Sequence, residues 1–291
     1  MTFEEKLGTS RFLVTSEVGP PKGTNVEIFL KDALLLKGRV DAINVTDLQS
    51  SVMRVGSLAA SRLLLERGLE PILQITCRDR NRLSLQSELL SAYVLGIRNV
   101  LCLTGDHTIL GDHPEAKPVF DLDSVQLLKV ATQLMEGKDM VGNPLDGKPH
   151  FCLGAVVNPG MEPLDPQLFK MELKIKAGAK FFQTQAIFDL RIFERFMKKV
   201  ETWGIPVLGG IVLLKSAGMA RYMNQNVAGV YVPENLIKRM AEAKKEDRPK
   251  VSVEIAGELI RGMKELCQGV HIMPIGWDWL VPKVLDAGGL S

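Results

Sequence analysis

The sequence predicts a single-domain α/β fold, a (β/α)8 TIM barrel, on three observations. Eight short strand-like runs are each followed by a helical stretch, at spacings of roughly 25 to 50 residues, which suits a barrel of about 250 residues with insertions. Several runs are apolar throughout, as strands covered on both faces of a parallel sheet must be. No G-x-G-x-x-G follows any run, and only the Gly- and Pro-rich loop 137–149 offers a domain break, which argues against a doubly wound sheet.

The elements follow in order. Residues 11–17 form a strand ending in Glu17, broken by the VGPP loop, and a helix over 26–36 stops at Gly38. The strand over 40–46 ends in Thr46, the helix over 52–65 is closed by Gly68, and the strand over 71–76 ends in Thr76. The polar run 77–82 leads into a helix over 83–95. Residues 99–106 (NVLCLTGD) are an apolar run too short for a buried helix; it stops abruptly at Thr104, Gly105 and Asp106. A helix over 124–135 comes next, then a strand over 151–158 ending in Asn158. Pro166 opens a helix that Gly178 closes. Strands over 180–185 and 206–214 flank a helix over 190–203. Three helical segments, over 217–224, 233–244 and 251–267, precede the last strand (270–275), the Gly276-Trp277 turn and a short final helix.

Composition narrows the function. With 46% hydrophobic and 24% charged residues the 291-residue chain can bury a full core. Its net charge of +2 gives no reason to expect nucleic acid or an anionic membrane as partner. No run is long and apolar enough to span a bilayer, and the first residues lack a signal-peptide layout, so a cytoplasmic protein is expected. Cys77, Cys102, Cys152 and Cys267 are scattered and read as buried thiols rather than disulfides or a zinc site.

In a parallel barrel, chemistry sits at the C-terminal strand ends. Those ends hold Glu17, Thr46, Thr76, Asp106, Asn158, Gln185 and Lys215. The set has no metal-ligand triad and no G-x-S-x-G, so metal-assisted hydrolysis and acyl transfer are poor fits. Carboxylates, hydroxyls and amides suit proton transfer and recognition of a nitrogen-rich ring, with a cofactor needed for redox work. The bland readings are that Glu17 is a solvated loop residue, that Asp106 caps a turn, and that Gln185 bonds a neighbouring loop. The histidines (His107, His113, His150 and His271) read as surface or hydrogen-bonded residues outside the chemistry. Residues 78–82 (RDRNR) read as a solvated loop on the rim that could touch phosphates.

Taken together the strand ends resemble the methylenetetrahydrofolate reductase family, flavoenzymes on a (β/α)8 barrel. The matching motifs are TSEVGPP (15–21), NVT (44–46), QITC (74–77), LTGD (103–106), KIKAG (174–178) and QTQAIFD (183–189), in family order along nearly the whole chain. Segments 214–221 and 275–277 resemble the bacterial branch that pairs with a zinc-binding companion subunit. The resemblance implies a flavin (FAD or FMN) that delivers hydride to 5,10-methylenetetrahydrofolate, giving 5-methyltetrahydrofolate. NAD(P)H or an electron-donor protein would reduce the flavin, and the chain could form an oligomer. Glu17 matches the general acid for folate N10, and Asp106 the aspartate near flavin and pterin. Gln185 matches the amide on the substrate ring. Thr46, Gln74, Thr104, Gly105, Asp106, Asp121, Asn158, Gln167 and Lys174 fall at cofactor-binding positions. The family often has His at Gln74, Arg at Thr104 and Asp at Gln167, which leaves the flavin type open. Two other readings stay beside this one: a pterin-dependent methyltransferase barrel without flavin, and a non-catalytic subunit of an electron-transfer complex.

Overall fold

The computed structural model describes residues 1–290. A first short helix, α1 (Phe3–Leu7), precedes β1 (Leu13–Val18) and α2 (Glu27–Leu35). Then follow β2 (Ala42–Val45), α3 (Ser57–Leu65), β3 (Pro71–Thr76), α4 (Arg82–Val94), β4 (Asn99–Leu103) and α5 (Ser124–Met135). The second half holds β5 (Cys152–Val157), α6 (Asp165–Lys176), β6 (Phe181–Ala186), α7 (Leu190–Val200) and β7 (Val207–Val212). Three helices, α8 (Ala217–Asn226), α9 (Glu234–Glu242) and α10 (Arg248–Met263), lead to β8 (Gly269–Met273) and α11 (Val281–Ala287). The strands pair in chain order, all parallel, and β8 closes onto β1 with Thr15 beside His271. The expected (β/α)8 barrel is what forms. Among the described residues no helix is long and apolar enough to cross a membrane.

Strand alternation sorts side chains to the two sides of the barrel wall. Outward residues such as Val14, Val100 and Ile211 pack under the helices in the main core. Inward residues Leu13, Ala42, Ile72, Leu101, Cys152, Phe181 and Leu208 form a separate apolar floor at the N-terminal end. Gly154 makes room for it, because a Cβ there would come within 2.2 Å of the Phe181 ring. Phe3 of α1 closes this floor from below, fully buried, with its ring edge-on to Phe181 at 5.2 Å. One layer higher the inward residues turn polar: Thr15, Asn44, Gln74, Gln183 and His271, all buried. The site sits on that layer.

Three elements differ from the sequence expectation. Helix α1 is not predicted at all, being a single turn and a half that Thr2 and Glu5 stabilise through a capping box. Helix α3 starts at Ser57 rather than residue 52, because residues 52–56 bond elsewhere: Met53 N donates to Asp112 and Val55 N to the Pro21 carbonyl. Residues 78–82 are a solvated loop only in part, with Asp79, Asn81 and Arg82 exposed. Arg78 is 2% exposed, and Arg80 is clamped between Asp47 and Glu88. All four cysteines are buried free thiols, as expected.

Candidate active site

A cavity of about 450 Å³ opens at the C-terminal mouth of the barrel. Glu17, Gln74, Thr104, Gly105, Asp106, Asn158, Gln167, Lys174 and Gln185 all line it. Two predicted positions stand apart. Thr46 is 2% exposed and off the lining, with its buried Oγ1 making no hydrogen bond. Asp121 faces outward, where Arg82 grips it through Nε, Nη2 and its backbone N–H; those bonds hold the Asp121 carboxyl down at about 2.

Glu17 ends β1 on the inward side and is 7% exposed. Its Oε1 accepts from Gln49 Nε2 at 3.1 Å, and its Oε2 lies 3.8 Å from His271 Nε2. Below it, Thr15 Oγ1 is 2.9 Å from His271 Nδ1 and accepts from Gln183 Nε2, while Asn44 and Gln183 exchange two amide hydrogen bonds. The carboxyl therefore stands on a hydrogen-bonded layer of Thr15, Asn44, Gln183 and His271 rather than in a solvated loop.

Asp106 stands exposed at the opposite lip, and its backbone is tightly placed. Its carbonyl accepts from Arg78 Nη1 and Ser51 Oγ. The preceding Gly105 has φ +93°, and a Cβ there would meet Cβ atoms of Thr76 and Arg78 at 3.1 Å. Only glycine gives this close approach without strain. Thr104 Oγ1 caps α5 by accepting from Ser124 N. On β6 an extra residue shifts the pairing between Gln183 and Ala186, and this bulge brings Gln183, Thr184 and Gln185 all onto the cavity wall. Asn158 lines the cavity while its amide donates to the Ala228 carbonyl.

Lys174 is 5% exposed on α6, its Nζ donating to the Val156 carbonyl at 2.7 Å. Burial, with Lys170 nearby, pushes its ammonium down to about 8; Asp123 and Cys102 oppose the shift. A second, shallower cavity of about 830 Å³ runs on from Thr104, Gly105 and Lys170 between α5 and α6, past His107, Phe120 and Phe169. His107 and Phe120 stack there, centroids 6.2 Å apart.

The sequence profile described as methylenetetrahydrofolate reductase matches residues 2–289. The chain belongs to the methylenetetrahydrofolate reductase family. Methylenetetrahydrofolate reductase 2 of Schizosaccharomyces pombe is 26% identical over 317 residues, covering 98% of this chain and 47% of its own length. The 5,10-methylenetetrahydrofolate reductase of Pectobacterium carotovorum subsp. carotovorum is 28% identical over 204 residues, covering 68% and 62%. The chain thus spans about half the length of the curated relatives it matches. Among solved structures, a Clostridium thermocellum protein described as binding two copies of 5-methyl-5,6,7,8-tetrahydrofolic acid superposes with TM-score 0.64 at 14% identity, covering 98% of this chain and 96% of that one. A 2,3-dimethylmalate lyase shares the barrel at TM-score 0.54 and 13% identity.

Five contributors carried no assigned role in the sequence reading: His271, Gln183, Asn44, Gln49 and Arg78. For His271 a signal existed. In the run 270–273, alternation sends Val270 and Ile272 outward and His271 into the barrel.

Proposed function

We propose that this member of the methylenetetrahydrofolate reductase family reduces 5,10-methylenetetrahydrofolate to 5-methyltetrahydrofolate with a bound flavin. The observation that carries the reading is Glu17, buried at the cavity wall and held by Gln49 beside His271. A carboxyl in that setting can give a proton to a ligand nitrogen in the cleft. The ligand named for the Clostridium thermocellum barrel belongs to the same pterin class as the proposed product.

The residues present fit a flavin. Lys174 places a buried cation on the cavity wall, and the Gly105 backbone lines the same cavity. Lys174 and the 104–106 backbone would hold phosphate, and Gln74 and Gln167 would flank it. The adjoining cavity, with aromatic faces at His107, Phe120 and Phe169, has room for an adenine, which favours FAD over FMN. When bound, the flavin supplies the hydride that the methylene carbon receives.

Glu17 protonates folate N10, which lets the five-membered ring open to the iminium. The Asp106 carboxylate faces that cation and stabilises it. Gln185 offers an amide to the pterin edge. His271 and Gln49 keep Glu17 aimed.

The test is the visible spectrum of the purified chain and its response to anaerobic 5-methyltetrahydrofolate. A flavin spectrum that bleaches is the expected result. A protein that stays colourless after incubation with FAD or FMN overturns the reading in favour of a methyltransferase or a non-catalytic subunit.

A further inference from the structure

Beside Glu17 lies a further chamber that the proposed chemistry does not use. It measures about 300 Å³ and is lined by Glu17, Asp32, Gln49, Arg54, Gly276 and Asp278, among others. Glu17 and Gln49 also line the main cavity, so the two chambers share these side chains. At roughly 30 Å³ each, several waters fit in such a space, and its walls are polar enough to hold them.

Asp278 opens the 3-10 turn Asp278–Leu280 that follows β8. Asp32 faces it from α2, Glu17 from β1, Arg54 from the segment before α3, and Lys215 from the segment after β7; Lys31 acts on Asp32. Burial, helped by the charges of Asp32 and Glu17, pushes the Asp278 carboxyl up to about 6 against its own backbone N–H and the Lys215 charge. Burial likewise raises Asp32. A half-buried acid of this strength keeps part of its proton near neutral pH and exchanges it readily.

We propose that Asp278 returns a proton to Glu17 through this chamber, so that Glu17 is reloaded while folate covers the main cleft. The proposal rests on the reading of Glu17 as the acid for folate N10. In each turnover the bond from N10 to the methylene carbon breaks, and its electron pair takes the Glu17 proton. The flavin, where bound, would supply the hydride that completes the methyl group. The Glu17 carboxylate then accepts a proton from the Asp278 carboxyl, and Asp278 takes one from hydronium or a buffer acid. Asp278 acts only through Glu17.

The experiment compares the full flavin-loaded chain with Asp278→Asn and Asp278→Glu, in single-turnover and steady-state folate reduction between pH 5.5 and 8.5. In Asp278→Asn the single-turnover rate is expected to hold, because one turnover needs no reloading of Glu17. Its steady-state rate falls about tenfold or more above pH 6, and small acids such as imidazole restore it. Asp278→Glu keeps most of the rate. In the flavin-free chain, infrared titration with Glu17→Gln as marker shows the Glu17 band moving when Asp278 is replaced. An unchanged pH profile, or a loss that neither imidazole nor Asp278→Glu repairs, overturns the relay while leaving Glu17 as the acid. A parent chain without folate reduction overturns both.

Discussion

His271 Nε2 stands 3.8 Å from Glu17 Oε2, while His271 Nδ1 is 2.9 Å from the Thr15 hydroxyl. The hydroxyl also accepts from Gln183 Nε2 and donates to the Val270 carbonyl at 3.4 Å. His271 Nε2 is the ring nitrogen turned toward the glutamate. A chain of side chains across the barrel interior, from Asn44 through Gln183, Thr15 and His271, thus ends on the proposed acid.

The first prediction concerns that line. Glu17→Gln should bind folate, lose folate reduction by about 100-fold or more, and keep flavin reduction by an external donor. His271→Phe should cost about 10- to 100-fold in the same half-reaction through misplacement of Glu17. Rapid-mixing spectra of each half-reaction check both. Equal loss of the two halves in Glu17→Gln sinks the acid assignment.

Lys174 gives a pH prediction. Its ammonium is charged below about 8 and neutral above. Flavin affinity should therefore weaken as pH rises from 7 to 9.5, and Lys174→Met should weaken it about tenfold at pH 7 while flattening the pH dependence. For stability the sign is opposite. The folded chain binds fewer protons at this site than the unfolded chain between about 8 and 10.5, so the contribution of Lys174 to stability rises with pH there. Fluorescence titration of flavin against pH decides the first point. An affinity independent of pH removes Lys174 from the phosphate site.

The thiols predict the alkaline limit. Burial raises all four, Cys77 to about 12 and Cys267 to about 11. Above pH 9 the unfolded chain releases thiol protons that the folded chain keeps, so stability falls as pH climbs towards the folded values. Four thiols outweigh the single opposing lysine. The denaturation midpoint should drop between pH 8.5 and 10.5, and a thiol reagent should label the native chain only as fast as it unfolds. Rapid labelling of even one thiol in the native chain contradicts the buried placement.

Much of this molecule is legible in its sequence, for reasons that also mark the limits. The strand ends are readable because a parallel barrel needs apolar runs that stop where the wall meets solvent. The turn at Gly105 and Asp106, on the run 99–106, shows this most clearly. Roles that depend on register are harder to see. His271 and Gln183 matter because eight strands at one shear level bring them beside Thr15, and no local pattern encodes that neighbour. Asp121 differs again: its family position suggests the cofactor, while its side chain is bonded by Arg82 and lies off the cavity lining. Arg78 looks solvated in a run of charges, yet the loops carrying Leu48 and Asp106 close over it.

Helix α1 supplies the last prediction because no periodicity announces it, yet it closes the barrel. Phe3 is 0% exposed and touches the floor formed by Leu13, Ile72, Phe181 and Leu208. Its helix is anchored around it: Lys6 pairs with buried Asp41 at 3.1 Å, and Phe3 N reaches Glu70 at 3.5 Å. Phe3→Ala should therefore open a cavity beneath Phe181 and cost about 3–5 kcal/mol of stability. Phe3→Leu, which keeps most of the volume, should cost about 1 kcal/mol. The site lies one polar layer above the floor, so the flavin and folate affinities of the folded protein should stay at parent values. Denaturant titration of both variants, with flavin binding measured below the transition, checks the separation. A Phe3→Ala loss under about 1 kcal/mol would mean that the floor is closed without α1.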